Sequence, residues 1–136
     1  MSVYSLLSEI AELLISHGAN ANEEDFYEKT TLHYAAEYNN KEMAELIISH
    51  GANINEKDED GKTALHYAAQ ENNKEIAELL ISHGVNVNTK DYLGRTALDI
   101  AIIKNNKETA ELLISHGANI NENDKSHLNY TMHTLL

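Results

Sequence analysis

The tripeptide Ser-His-Gly closes four successive stretches of this chain, at His17-Gly18, His50-Gly51, His83-Gly84 and His116-Gly117. Each copy follows the last by 33 residues. Self-similarity at a fixed period of this size marks a stacked array, in which each unit buries its apolar face against its neighbours rather than in one globular core. The search for function therefore moves to the positions that depart from the repeat.

Aligned on the period, residues 25–57, 58–90 and 91–123 form three complete units within one domain covering 1–136. Residues 1–24 read as a partial first unit and 124–136 as a degenerate or truncated C-terminal cap. In the middle unit, Asp58-Glu59-Asp60-Gly61 is turn chemistry, acids that bond backbone amides followed by a glycine able to take positive φ. The spacing predicts a short helix over 63–71, with Leu65, Ala68 and Ala69 on one face. The paired alanines allow another backbone to come close. Asn72 and Asn73 interrupt this run, and Asn72 with Glu75 gives an N-cap signal. A second helix is predicted over 74–83, where Ile76, Leu79 and Leu80 share a stripe widened by Ile81. Gly84 closes it in the left-handed conformation, and Val85-Asn86-Val87-Asn88 alternates as an extended return arm.

Thr63-Ala64-Leu65-His66, then Ala68-Ala69, Leu79-Leu80-Ile81 and Gly84-Val85-Asn86-Val87-Asn88 resemble the ankyrin repeat, and the resemblance covers roughly residues 8–124. It implies an all-α solenoid of helix-turn-helix units with β-hairpin-like finger loops. The proline common in the second place of Thr-Pro-Leu-His is Thr31, Ala64 or Ala97 here, and the chain has no proline. Losing that preorganisation lowers stability modestly without changing the fold. Glu28 occupies the turn-glycine column of Gly61 and Gly94, at a cost of about 1 kcal/mol if its φ is positive. Asp99 replaces the histidine of His33 and His66. Leu6-Leu7 stands where Asn39-Asn40 and Asn72-Asn73 stand, so the array begins in mid-unit. Near the other end, Tyr130-Thr131-Met132-His133 repeats the Thr-x-Leu-His pattern one residue late. Both ends are expected to expose apolar surface, through Leu6, Ile10 and Leu13 in front and Leu112, Leu113, Leu128, Met132 and Leu135 behind.

The formal net charge of −12 argues against nucleic acid and against direct binding to anionic membranes, both of which attract basic residues. The absence of cysteine removes disulfides and thiolate chemistry. No apolar stretch approaches the roughly 18 residues of a bilayer span, and an intracellular, cytoplasmic setting is expected.

Eight histidines invite a metal. The His17, His50, His83, His116 column does not supply one, because adjacent helices lie about 8–10 Å apart and two imidazoles sharing zinc must each come within about 2.1 Å of it. A histidine at a helix C-terminus, favoured by the dipole, is the plainer reading. The resemblance implies that His33 and His66 bond to backbone between repeats, and Asp99, three residues after Thr96, reads as a cap. The pairs Glu42/Glu45, Glu75/Glu78 and Glu108/Glu111 recur on what reads as a solvated helix face. No phosphate-binding loop and no nucleophile triad is present. No enzyme, cofactor or metal is expected.

The varying columns fall at the turn tips and at the end of the first helix of each unit. The tips carry Phe26 and Tyr27, Glu59 and Asp60, and Tyr92 and Leu93; the helix ends contribute Tyr38, Glu71 and Ile103. In ankyrin proteins these columns line the concave groove that holds partners, and aromatic residues are typical interface anchors. The expected function is a non-catalytic protein-binding module, part of a larger ankyrin protein, with apolar lips flanking an acidic centre suited to a basic, partly apolar segment. The alternative is a structural spacer or a homo-oligomer assembling through its terminal repeats.

Overall fold

In a computed structural model, which describes residues 3–121 and Asp124, seven α-helices follow one another among the described residues. They are α1 (Val3–Ser16), α2 (Thr31–Glu37), α3 (Lys41–Ser49), α4 (Ala64–Gln70), α5 (Lys74–Ser82), α6 (Ala97–Ile103) and α7 (Lys107–Ser115). They stack in two rows. The inner row is α2 on α4 on α6; the outer row is α1, α3, α5 and α7; and α2, α4 and α6 each pack on the outer helix that follows them. No strand occurs among the described residues, so the return arms are extended without forming a ladder.

The inner helices stack closely because Ala35-Ala36 and Ala68-Ala69 are buried and offer no bulk between backbones. Leu32, Leu65 and Leu98 fill the space between the rows, each burial stabilising the array by about 1.5–3 kcal/mol. Thr63 is the N-cap of α4 rather than its first helical residue, and His83 is the C-cap of α5. Asn72 does not cap α5. It takes φ 54°, the left-handed turn that ends α4, and Asn73 is the N-cap. Asparagine tolerates that region better than most side chains, and Asn39 and Asn105 do the same at φ 56° and 60°. Gly84 is left-handed at φ 84°, as expected.

Neighbouring units are joined by polar bonds as well as apolar burial. The side-chain amides of Asn73 and Asn106 donate to the carbonyls of Ala36 and Ala69, each at 2.7 Å. They bond to carbonyls at the ends of the preceding inner helices, where the helical ladder runs out of donors. Along the return arms, the N–H groups of Asn53, Asn86 and Asn119 donate to Oδ1 of Asn22, Asn55 and Asn88 at 2.6, 2.9 and 2.8 Å.

The front of the array is apolar and exposed at Leu6, Ile10 and Leu13, as expected, and also at Leu7 and Leu14. The expectation at the back fails for Leu113, which is wholly buried; Leu112 is half-buried. Leu113 shares the column of Ile47 and Leu80, which face the inner helix of their own pair, and α6 covers it in the same way. Leu128, Met132, Leu135 and the Tyr130–His133 motif lie outside the described residues.

Candidate partner-binding surface

The turn tips are built on three aspartates one period apart. Oδ1 of Asp25 accepts the N–H groups of Tyr27 and Lys29, each at 2.9 Å. Asp58 does the same for Asp60 and Lys62, and Asp91 for Leu93 and Arg95. Each turn closes through a backbone bond from the aspartate N–H to the residue four places on. At Glu28 this turn forces φ 60° on a residue with a side chain. Successive tips are then tied together: Glu59 N–H donates to the Tyr27 carbonyl and Tyr92 N–H to the Asp60 carbonyl, both at 3.0 Å. Phe26, Tyr27, Glu59, Asp60, Tyr92 and Leu93 thus share one edge.

All six of the apolar residues named from the sequence are exposed. Phe26 is 92% exposed and Leu93 77%, with Tyr27, Tyr38, Tyr92 and Ile103 each more than half exposed. Phe26 does not fold back onto a helix; among the described residues its ring pairs with that of Tyr27, edge-on at 5.8 Å. Tyr92 instead lies across the preceding tip. A Cβ on Gly61 would fall 2.6 Å from its ring, so glycine there serves both the φ of 75° and the ring above it. Tyr38 caps the C-terminus of α2 and stacks on Tyr34, with ring centroids 6.3 Å apart. Glu71 is the C-cap of α4 and Ile103 the last residue of α6. These two are not in the hollow that joins the first two tips.

That hollow, of about 270 Å³, is lined by Tyr27, Lys29, Tyr34, Asp58, Glu59, Asp60 and Tyr67. Four of these, Lys29, Tyr34, Asp58 and Tyr67, are not among the site residues expected from the sequence. The Lys29 ammonium lies 4.3 Å from the Tyr34 ring centroid and 4.5 Å from that of Tyr67, and it pairs with Glu37 at 2.7 Å. The two tyrosine hydroxyls donate to Oδ2 of Asp25 and Asp58. The bond from Tyr34 holds the Asp25 carboxyl below its usual range, and that carboxylate pushes the Tyr34 phenol up to about 12. Burial, with the Asp58 carboxylate beside it, raises the Tyr67 phenol further. In the next unit Ile100 holds the tyrosine column, and Arg95 Nε takes over the second aspartate oxygen at 3.0 Å. Burial of Asp91 opposes its ionisation, but the Arg95 backbone and side chain outweigh it and lower its pKa. The Lys29/Lys62/Arg95 column, changing together with Tyr34/Tyr67/Ile100, was the available signal.

The histidines serve the frame. Nδ1 of His33 accepts the Thr30 N–H at 3.0 Å, which leaves the ring proton on Nε2, bonded to the Lys62 carbonyl at 2.9 Å. His66 repeats this with Thr63 and Arg95. Asp99 caps: its Oδ2 accepts the Thr96 N–H at 2.8 Å, and its own N–H donates to Thr96 Oγ1 at 3.2 Å. His50, His83 and His116 are helix C-caps, and Nδ1 of His17, His83 and His116 is bonded to the carbonyl four residues back. The paired glutamates of the outer helices are exposed. Among the described residues no group of three or more His, Asp or Glu side chains is disposed to hold a metal ion.

A family model described as ankyrin repeats (3 copies) matches residues 53–124, and one described as ankyrin repeats (many copies) matches residues 14–68. The chain belongs to the ankyrin repeat family. Among curated proteins none matches it. Ankyrin repeats are generally protein–protein interaction modules, and it is the site rather than the fold that selects a partner. No described helix of this ankyrin array is long and apolar enough to cross a membrane.

Proposed function

We propose that this ankyrin array is a non-catalytic module, part of a larger intracellular, cytoplasmic protein, that binds a protein partner along its finger tips and inner-helix ends. The units 25–57, 58–90 and 91–123 supply that surface. Phe26, Tyr27 and Tyr38 form one apolar lip, and Tyr92, Leu93 and Ile103 the other. Glu59, Asp60 and Glu71 make the acidic stretch between them. One observation carries the reading: six large apolar side chains in two matching sets of columns stay exposed while the core is filled without them. Scattered exposed apolar residues need no explanation, but a set repeated by position does. The Lys29 ammonium between two tyrosine rings beside carboxylates supports the choice of a basic, partly apolar partner segment, since the hollow suits an ammonium group.

A pull-down comparing the intact chain with the triple variant Phe26→Ser, Tyr27→Ser, Tyr38→Ser tests this. The partner recovered with the intact chain is expected to be lost with the variant at unchanged circular dichroism. Equal recovery would reject the surface.

A further inference from the structure

The outer helices share one column in which α1 departs from the other three. Lysine occupies it at Lys41, Lys74 and Lys107, and serine at Ser8. Two glutamate columns run beside it, Glu9/Glu42/Glu75/Glu108 and Glu12/Glu45/Glu78/Glu111. Where lysine is present, it pairs with them. The Lys41 ammonium lies 3.9 Å from Glu45 on its own helix and 3.9 Å from Glu75 on the next, and Lys74 lies 3.9 Å from Glu78. One cation thus serves both sides of the junction between α3 and α5. Ser8 offers the junction between α1 and α3 none.

That junction holds a hollow of about 300 Å³, with Ser8, Glu9 and Glu12 on the α1 side and Glu42, Glu45 and Leu46 on the α3 side. All four glutamates are exposed. Glu45 already shares Lys41, and the Ser5 hydroxyl donates to Glu42 Oε2 at 3.1 Å. Among the described residues, Glu9, Glu12 and Glu42 have no cation within ion-pair distance. Ser8 itself is only 5% exposed, and its hydroxyl has no hydrogen-bond partner among the described residues. No other buried side-chain oxygen or nitrogen among them lacks one. A buried polar group left unpaired in an otherwise satisfied structure calls for an explanation, and this one lines a hollow walled by carboxylates.

We infer that this hollow receives the ammonium of a lysine side chain from a protein partner, in the place that Lys41 fills at the next junction. An ammonium has three N–H donors and no acceptor, which matches carboxylates and one unpaired hydroxyl oxygen. The fit is to a cation that donates hydrogen bonds: among the described residues no group of three or more His, Asp or Glu side chains is disposed to hold a metal ion. Leu46, half-buried in the wall, gives the methylene stem an apolar rest. Exposed ion pairs each contribute little, so the hollow is one anchor within a wider contact. It belongs to the outer helices and does not rest on the finger surface.

Titration of the full chain with the peptide acetyl-Gly-Lys-Gly-amide, followed through backbone amide NMR shifts, tests this. The norleucine peptide keeps the stem, drops the charge and serves as control. Saturable shifts are expected at Ser8, Glu12 and Glu42, with none from the control. Ser8→Lys supplies an internal ammonium, as Lys41 does, and is expected to abolish these shifts and raise the urea midpoint. Glu12→Gln with Glu42→Gln, both at exposed positions, leaves the fold intact and is expected to weaken the peptide about threefold or more. Equal shifts at Glu75, Glu78, Glu108 and Glu111 would mean general attraction to an acidic chain and would overturn the inference. So would undiminished binding by Ser8→Lys or by the double glutamine variant. Shifts from free butylammonium or from calcium ions, with none from the peptide, give the hollow another occupant and overturn it as well. The finger variant is expected to bind the peptide as the wild type does, so the two surfaces stand or fall separately.

Discussion

The side-chain amide of Asn121 donates to Oδ1 of Asp99 at 2.9 Å. In the two preceding units a histidine at the Asp99 column sends its Nε2 proton forward to a carbonyl, at Lys62 and at Arg95. A carboxylate keeps the cap on its own helix but has nothing to donate, so the direction of the link reverses and the downstream segment supplies the proton. Asn121 also exchanges bonds with Asp124, which accepts its N–H at 3.0 Å and donates back at 2.7 Å. Replacing Asn121 by alanine is expected to destabilise the array by about 1–2 kcal/mol, and Asp99→Ala by about 2–3 kcal/mol, because it also strands the buried Thr96 N–H. Urea denaturation at neutral pH measures both.

One column tests the nearest-neighbour character of the packing. Leu80→Ala removes a wholly buried side chain and is expected to cost about 2–5 kcal/mol. Leu14→Ala, same residue and same column but bare, is expected to cost under about 0.5 kcal/mol. Equal losses on chemical denaturation would contradict the exposure of Leu14 beside the burial of Leu80.

The strained turn at Glu28 offers a gain. Its φ of 60° is one that glycine takes freely and that Gly61 and Gly94 adopt in the same column at 75° and 79°. Glu28→Gly is expected to raise stability by about 0.5–1 kcal/mol, net of the entropy glycine loses on folding. A higher urea midpoint with an unchanged slope is the readout.

Acid should destabilise the array in two stages. Burial lowers the pKa of His33 and His66, against the opposing pull of their carbonyl partners and of the nearby Asp58 and Asp91 carboxylates; Lys29 and Lys62 add to the lowering. The unfolded chain takes up protons near the ordinary histidine value of about 6.5, where the folded chain still refuses them, so stability is full above that pH and falls as pH drops toward the folded values. Asp25 and Asp91, with lowered values, contribute stability that is present above about 3.8 and is lost as pH falls through their folded values. Thermal melts across this range should show the first decline beginning near pH 6.5, and a shallower one in His66→Asn, which retains a single buried imidazole. A profile flat to pH 5 would sink the assignment.

The frame was readable because a period of 33 residues makes every column its own control. Thr63 with His66, the alanine pair and Gly84 carry local geometry that their residue types dictate. The Asn72-Asn73 pair was misread by one place, because an asparagine can either cap the next helix or turn left-handed to end the last, and only the backbone distinguishes them. Leu113 was misjudged because it was assigned to an open end, when its cover comes from the helix of its own pair. The hollow around Lys29 escaped notice for a different reason. Its ring-to-ammonium contacts join residues of two units, Lys29 with Tyr67, and no spacing within one unit announces them.

The different settings of Phe26 and Tyr92 divide the finger edge into a stiff half and a loose half. Tyr92 is pinned by its backbone bond to Asp60 and by the flat seat over Gly61, so a ligand meets it as a finished wall. Phe26 touches little besides Tyr27, and a ligand must immobilise it, at a rotational cost that Tyr92 has already met within the fold. Tightening of this surface, by selection or by design, has most to gain at the exposed Phe26.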